Sequence, residues 1–401
     1  MHILDHIKQD FSTFVAHNFA TTVTTSELTL NTDPHKQQFG DLSSNSALIL
    51  AKQLQRPARD IAQEIVTSFT HPHVARLEIA GPGFINFFLT DAAFVLCAQQ
   101  LYDIGKDFFK KSSEEPTEKY SIEFVSANPT GPLHIGHGRN AIIGDVLSRI
   151  IRFRGHHVVA EFYINDAGAQ IDKLGHSFKI RCQQQLGIAA EIPEDGYHGE
   201  YLQELAQQCI SEQGKNVINN PDSFFKDYAK EHLLARIQKT LTSYGITFDD
   251  WFSETTLHTS GAIANALELL AAQGCTYESE GALWFASTRF GDDKDRVLKK
   301  TTGELTYVAA DIAYLLNKIN RGFDHIIMVL GQDHHSYVVR LKAILEALGY
   351  NPALLDVILY QLVTLKESGE FVRLSKRAGR IVSLEDIITT VGSDVARFFL
   401  S

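Results

Sequence analysis

Apolar residues alternate at Tyr120, Ile122 and Phe124, and after a glycine- and proline-rich stretch they recur with helical spacing at Ile142, Ile143, Val146, Leu147, Ile150 and Ile151. A period of two followed by a period near 3.6 predicts a strand, a loop and a helix. A second strand-like run covers His157 to Ile164. Farther on, His325 to Leu330 leads into a helical pattern at Val338, Leu341, Ile344, Leu345 and Leu348, and another strand-like run spans Val357 to Leu365. Strands alternating with helices predict an α/β fold built on a doubly wound parallel sheet.

Breaks in this pattern suggest boundaries. The charged and small residues at 106–119 read as a linker after an N-terminal α+β domain at 1–105. The first half of the main fold then covers 120–174, and the pattern turns helical and acidic over 175–257, which reads as an insertion. The second half follows at 258–365, and 366–401 carries a cationic loop with an apolar-periodic tail.

The chemistry concentrates in Asn128-Pro129-Thr130-Gly131-Pro132-Leu133-His134-Ile135-Gly136-His137-Gly138, between the first strand and its helix. Free amides and the positive dipole end favour an anion at a helix start, and glycine admits a flat base or a phosphate. His134 and His137 add donors for phosphate oxygens. Alternatively the two imidazoles are structural or half of a zinc site. Zinc needs further ligands, and Cys97, Cys182, Cys209 and Cys275 are dispersed, so no protein-bound zinc is expected. The late loop Val372-Arg373-Leu374-Ser375-Lys376-Arg377-Ala378-Gly379-Arg380 supplies cations of the kind that stabilise charge on phosphoryl oxygens during transfer. Taken by itself it can also be read as a solvated turn.

These two segments resemble the HIGH and KMSKS motifs of the class I aminoacyl-tRNA synthetases. His134-Ile135-Gly136-His137 matches letter for letter, whereas Arg373-Leu374-Ser375-Lys376-Arg377 departs at three of five positions while keeping Lys376. Four further segments resemble the arginyl-tRNA synthetase family: Phe39-Gly40-Asp41 with Asn45-Ser46-Ala47, Ala80 to Phe87, Glu123 to Thr130, and Phe290 to Val297. The resemblance implies a Rossmann-like, HUP-type catalytic fold with a connective insertion, preceded by a domain that contacts tRNA. It implies that arginine is activated by ATP to arginyl-adenylate and transferred to tRNA(Arg), gripped at its acceptor end and elbow, with tRNA needed for activation. His134, His137, Lys376, Arg373 and Arg377 would then be catalytic. Gly136, Gly138, Gly331, Asp333 and Ser375 would hold ATP, and magnesium would accompany the triphosphate.

A guanidinium calls for paired carboxylates and a flat ring. By resemblance, Tyr307 and Asp311 contact the guanidinium with Glu123 as the second acid, while Asn128 and Gln332 hold the amino and carboxylate end. Tyr307 and Asp311 are four apart, so a helix would set both on one face. On residue type alone, Asp311 is equally an exposed acid or a cap, and Tyr307 a core aromatic. Asp333 fits either a ribose hydroxyl or a cap of the following helix. His156-His157 matches no motif and reads as structural.

The formal net charge of −11 over 401 residues argues against a generic nucleic-acid binder, leaving any RNA contact to local clusters. Arg56 with Arg59, Arg149 with Arg152 and Arg154, and Lys366 through Arg380 are such clusters; each also reads as an ordinary solvated face, and the RNA reading is favoured only for the last. No apolar run approaches membrane-spanning length, and four scattered cysteines suit a reducing compartment, so a cytoplasmic protein is expected, and the family resemblance implies a monomer. The helical anticodon-binding domain that follows in the family is expected to be absent. The alternatives are a non-catalytic RNA-binding or regulatory paralogue and a small-molecule nucleotidyltransferase sharing the same two motifs.

Overall fold

Helix α1 (Ile3–Phe19) carries Ile3, Ile7, Phe11, Val15 and Phe19 at four-residue intervals, and this stripe is its buried face. It packs with strands β1 (Leu28–Leu30) and β2 (Leu42–Ser44), helices α2 (Ser46–Leu54) and α3 (Ala58–Ser68), strands β3 (Val74–Ala80) and β4 (Phe84–Leu89), and helix α4 (Asp91–Ile104). The strands form an antiparallel sheet in the order β1-β2-β4-β3. Phe11 sets its ring edge-on against Phe69 and Phe87, with centroids 5.3 and 5.1 Å away. Gly40 sits at φ +78°, and a Cβ there would lie 2.5 Å from the Phe87 carbonyl oxygen, so only glycine fits. Asp41 beside it accepts from the Leu89 amide at 2.8 Å. Phe39-Gly40-Asp41 thus shapes this unit from within. The computed structural model describes residues 3–19, 28–111, 115–363, 365–367, 370–372 and 382–401 and divides the chain into units Met1–Glu115 and Pro116–Ser401. Part of the stretch read as a linker is regular: Gly105–Phe109 is a 3-10 helix with Phe108 buried, and Lys119 already belongs to a strand.

In the second unit, β5 (Lys119–Glu123), β6 (His157–Ile164), β7 (Asp250–Ser253), β11 (His325–Gly331) and β12 (Leu355–Tyr360) form a parallel sheet in the order β12-β11-β5-β6-β7. Ile122 lies opposite Ile327 on one side and Ala160 on the other, which fixes the register at the core. The chain winds outward from β5 first one way and then the other. The switch point therefore lies between β5 and β11, and an open α/β sheet binds its ligand beyond the carboxyl ends of those strands. Helix α5 (Ile135–Arg154) starts there and stops at Gly155, whose φ of 103° closes the end. Its buried face differs from the apolar stripe in the sequence: Ile142 is buried, but Val146 and Ile150 are exposed, and Gly138, Asp145 and Ser148 face inward instead.

Helices α6 (Ala169–Gln185), α7 (Tyr201–Gln213) and α8 (Asp222–Ser243) form the helical insertion around Phe178, Leu202, Cys209 and Phe225. A Cβ on Gly175 would lie 2.8 Å from the Lys226 Cα, so glycine sets how closely α6 and α8 cross. The insertion read at 175–257 begins earlier, at Ala169, and its last part is β7, an edge strand of the main sheet. Helices α9 (Glu254–Thr259) and α10 (Ala262–Ala272) follow, then an antiparallel sheet of β8 (Thr276–Ser279), β9 (Ala282–Phe285) and β10 (Arg296–Lys299) that periodicity gave no sign of. Helix α11 (Tyr307–Asn320) leads to β11, and α12 (His335–Ala347) to β12. The strand expected at 357–365 runs instead from Leu355 to Tyr360. The hairpin β13 (Leu365–Glu367) and β14 (Glu370–Val372) and helices α13 (Leu384–Val391) and α14 (Ser393–Leu400) complete the fold.

Candidate active site

The loop after β5 reaches α5 through a reciprocal cap made by the two imidazoles. His134 Nδ1 accepts from the Gly136 amide and His137 Nδ1 accepts from the His134 amide, both at 3.1 Å. The rings stack with centroids 3.7 Å apart. A nitrogen that accepts carries no proton, so the proton of each neutral ring sits on Nε2 and makes that atom a donor. A Cβ on Gly136 would lie 3.0 Å from the His134 ring, and one on Gly138 would lie 2.9 Å from Leu384 and Leu400 methyl carbons. A side chain at either position would therefore collide with the capping ring or with the methyl groups of α13 and α14.

The loop is held from several sides. Asn140 accepts from the Val125 amide at 2.6 Å and donates to the Val329 carbonyl at 2.8 Å, joining α5 to the ends of β5 and β11. Val125 and Ser126 adopt φ of 67° and 40°, a left-handed turn that a β-branched residue seldom takes. Tyr201 donates to the Thr130 carbonyl at 2.7 Å, and Asn128 donates to Gln170 at 2.9 Å. The chain after residue 381 returns to the same place. The Leu384 amide donates to the Leu133 carbonyl at 2.8 Å, and the Ile135 amide donates to that of Val382 at 3.3 Å. Arg373, Leu374, Ser375, Lys376 and Arg377 lie outside the described residues.

At the carboxyl ends of β5 and β6 the site is acidic and aromatic. Glu123 is buried; it accepts from the Ser126 hydroxyl at 3.1 Å and stands 3.4 Å from Lys318. Burial pushes its carboxyl above the usual range, against the pull of Lys318. Asp311 accepts from the Tyr337 hydroxyl at 2.9 Å. Enclosure of its carboxyl raises the Asp311 pKa to about 7, with Glu254 and Glu123 pushing the same way and Tyr337 and Arg340 opposing. Tyr307 opens α11 four residues before Asp311 and is 62 % exposed, which excludes the core-aromatic reading. Gln332 and Asp333 are exposed on a 3-10 turn after β11. Gly331 leaves room for the Asp333 carboxylate, which would lie 2.5 Å from a Cβ there. No side-chain cap bond closes the start of α12, which removes the capping role weighed for Asp333.

The arginine clusters pair locally: Arg56 with Glu64, Arg149 with Asp145, and Arg152 with Asp249. His156 accepts from the Glu118 amide at 3.3 Å, as a structural histidine would. Sequence reasoning passed over Asn140, Glu161, Tyr314 and Lys318. A signal existed for two of them. Asp311, Tyr314 and Lys318 fall at i, i+3 and i+7 on one face of an otherwise apolar helix.

Residues 101–396 match the family of class I tRNA synthetases (R), catalytic domain, and residues 1–89 match the arginyl tRNA synthetase N-terminal domain. With the switch-point site and the imidazole cap, this defines the chain as a class I aminoacyl-tRNA synthetase. It is 43% identical over 376 residues to an arginine–tRNA ligase of Caldanaerobacter subterraneus subsp. tengcongensis, covering 92% of this chain and 67% of that one. It is 45% identical over 372 residues to that of Moorella thermoacetica, covering 91% and 66%. The fold is shared with Thermus thermophilus arginyl-tRNA synthetase at a TM-score of 0.64 and 19% identity, over 99% of this chain and 74% of that one. The chain belongs to the arginyl-tRNA synthetase family, and spans about two thirds of the length of the curated relatives it matches.

Proposed function

We propose that the protein activates arginine with ATP and transfers it to tRNA(Arg). The observation that carries this reading is the reciprocal imidazole cap of His134 and His137, set at a helix start beyond the switch point of a chain that belongs to the arginyl-tRNA synthetase family. In the first step the arginine carboxylate attacks the ATP α-phosphorus, the bond to the β-phosphate oxygen breaks, and pyrophosphate leaves with that electron pair. In the second, a terminal ribose hydroxyl of the tRNA attacks the acyl carbon and AMP leaves. No side chain acts as nucleophile; orientation and charge stabilisation are sufficient for such displacements.

His134 and His137 donate to phosphate oxygens, and Lys376 with Arg373 and Arg377 neutralises the charge that develops on them. Gly331 and Asp333 flank the adenosine, and Ser375 contacts the triphosphate. Glu123, Asp311 and Tyr307 receive the guanidinium, while Asn128 and Gln332 hold the amino and carboxylate groups. Among the described residues no cluster of three or more His, Cys, Asp or Glu is arranged to hold a metal, so magnesium is assigned no protein ligand and no step is routed through it. No described helix is long and apolar enough to cross a membrane.

ATP–pyrophosphate exchange tests the reading, measured with and without arginine and with and without tRNA(Arg). Exchange that requires arginine supports it. Arginine binding without exchange under any condition would make the chain a non-catalytic relative.

A further inference from the structure

Behind the proposed arginine pocket lies a buried ionic cluster that the reaction itself does not use. Lys318 has no exposed surface. It donates to the Ser121 hydroxyl at 2.9 Å and to Glu161, and stands 3.4 Å from Glu123 Oε2. Glu161 also accepts from the Tyr314 hydroxyl and from Arg321, and Arg321 donates to Asp250 at 3.0 Å. Glu161 is thus amply supplied, whereas Glu123 Oε2, equally buried, has no hydrogen-bond partner among the described residues. Glu123, Glu161 and Asp250 set against Lys318 and Arg321 leave one negative charge without a cation.

A buried carboxylate oxygen in that condition ordinarily takes up a proton. We propose that Lys318 is a positioning residue for arginine recognition: anchored by Ser121 and Glu161, it holds Glu123 ionised and keeps Oε2 as the acceptor for the substrate cation. The inference rests on the arginine reading of the site. The groups facing Glu123 are Lys318 and Tyr314 from α11, Glu161 from β6 and Ser126 from its own loop, with Asp311, Tyr163 and Tyr337 farther off. Of these Lys318 is the cation. Burial alone would also raise Glu161, but Lys318, Tyr314 and Arg321 hold it down at about 2, so it persists as the anion that fixes Lys318. Burial already lifts Glu123, and losing Lys318 lifts it further, so the ionised form then requires higher pH.

The test is the KM for arginine in pyrophosphate exchange with tRNA(Arg) present, from pH 6 to 8.5, for the wild type, Lys318→Gln and Lys318→Arg. In the wild type KM for arginine falls with rising pH as Asp311 gains its charge. Lys318→Gln lifts Glu123 further, so its KM falls more steeply with rising pH than that of the wild type, by up to about a further tenfold per pH unit, and KM for ATP stays within about twofold. Lys318→Arg restores the wild-type slope whatever its absolute KM. If Lys318→Gln does not fold, Lys318→Gln with Glu161→Gln removes both charges of the pair and shows the same steepening, reduced by the loss of Glu161. Parallel profiles in the folded variants overturn the inference. A wild type without arginine-dependent exchange overturns the arginine reading itself, so the two failures are distinct.

Discussion

At the residue scale, the imidazole pair combines two jobs that substitution can separate. Asparagine at a helix start accepts from backbone amides as well as any residue. His134→Asn therefore keeps the cap acceptor while removing the Nε2 donor. The expected outcome is a thermal midpoint near that of the wild type with pyrophosphate exchange slowed about a hundredfold, the usual consequence of losing one donor to developing charge. Unchanged exchange would assign His134 to capping alone. Asp311 makes a second prediction. Its carboxyl is lifted to about 7, so it gains its charge as pH rises through neutrality, and affinity for a cation rises with it. For the protein without arginine the sign is opposite: an acid whose folded pKa lies above its unfolded value loses stability as pH rises between the two. Arginine affinity should climb from pH 6 to 8, and Asp311→Asn should flatten that climb in a calorimetric titration. His134 and His137 stood out in the sequence through their motif, and Asp311 only through the family resemblance. Lys318 and Glu161 did not, because a charged residue in a sequence reads as solvent-exposed until its partners are known.

At the element scale, β6 was read to the residue because five of its eight positions, Val158, Val159, Phe162, Tyr163 and Ile164, are β-branched or aromatic. Helix α5 was found, but its inward face was misjudged. Asp145 can be buried there because Arg149 and Arg397 donate to it, at 3.0 and 2.5 Å. Gly144 faces inward because Phe124 occupies its space: a Cβ there would lie 2.1 Å from the Phe124 ring. Gly144→Ala should accordingly cost about 3 kcal/mol or more in denaturant unfolding, since overpacking a tight contact moves backbone. Phe124→Ala combined with it should be less damaging than the sum of the two single changes, a coupling that a double-mutant cycle measures. Strand β7 escaped notice because four residues beginning with an aspartate carry too little alternation to stand out from the helical insertion before them.

At the scale of the whole molecule, each unit has its own apolar core, around Phe11, Ile65 and Phe87 in the first and around the parallel sheet in the second. Residues 1–115 should therefore fold alone, with a cooperative thermal transition by circular dichroism; a gradual, non-cooperative melt would show that this core needs the rest of the chain. The second unit depends on contacts between distant parts of the sequence. Leu384 hydrogen-bonds to Leu133 and Arg397 closes on Asp145, so residues about 250 positions apart meet at the imidazole cap. During synthesis this cap has its own loop and helix long before the ribosome delivers α13 and α14, which pack against it. The nascent protein must then pass through a long interval in which its helix face at Gly138 awaits Leu384 and Leu400, which are synthesised about 250 residues later.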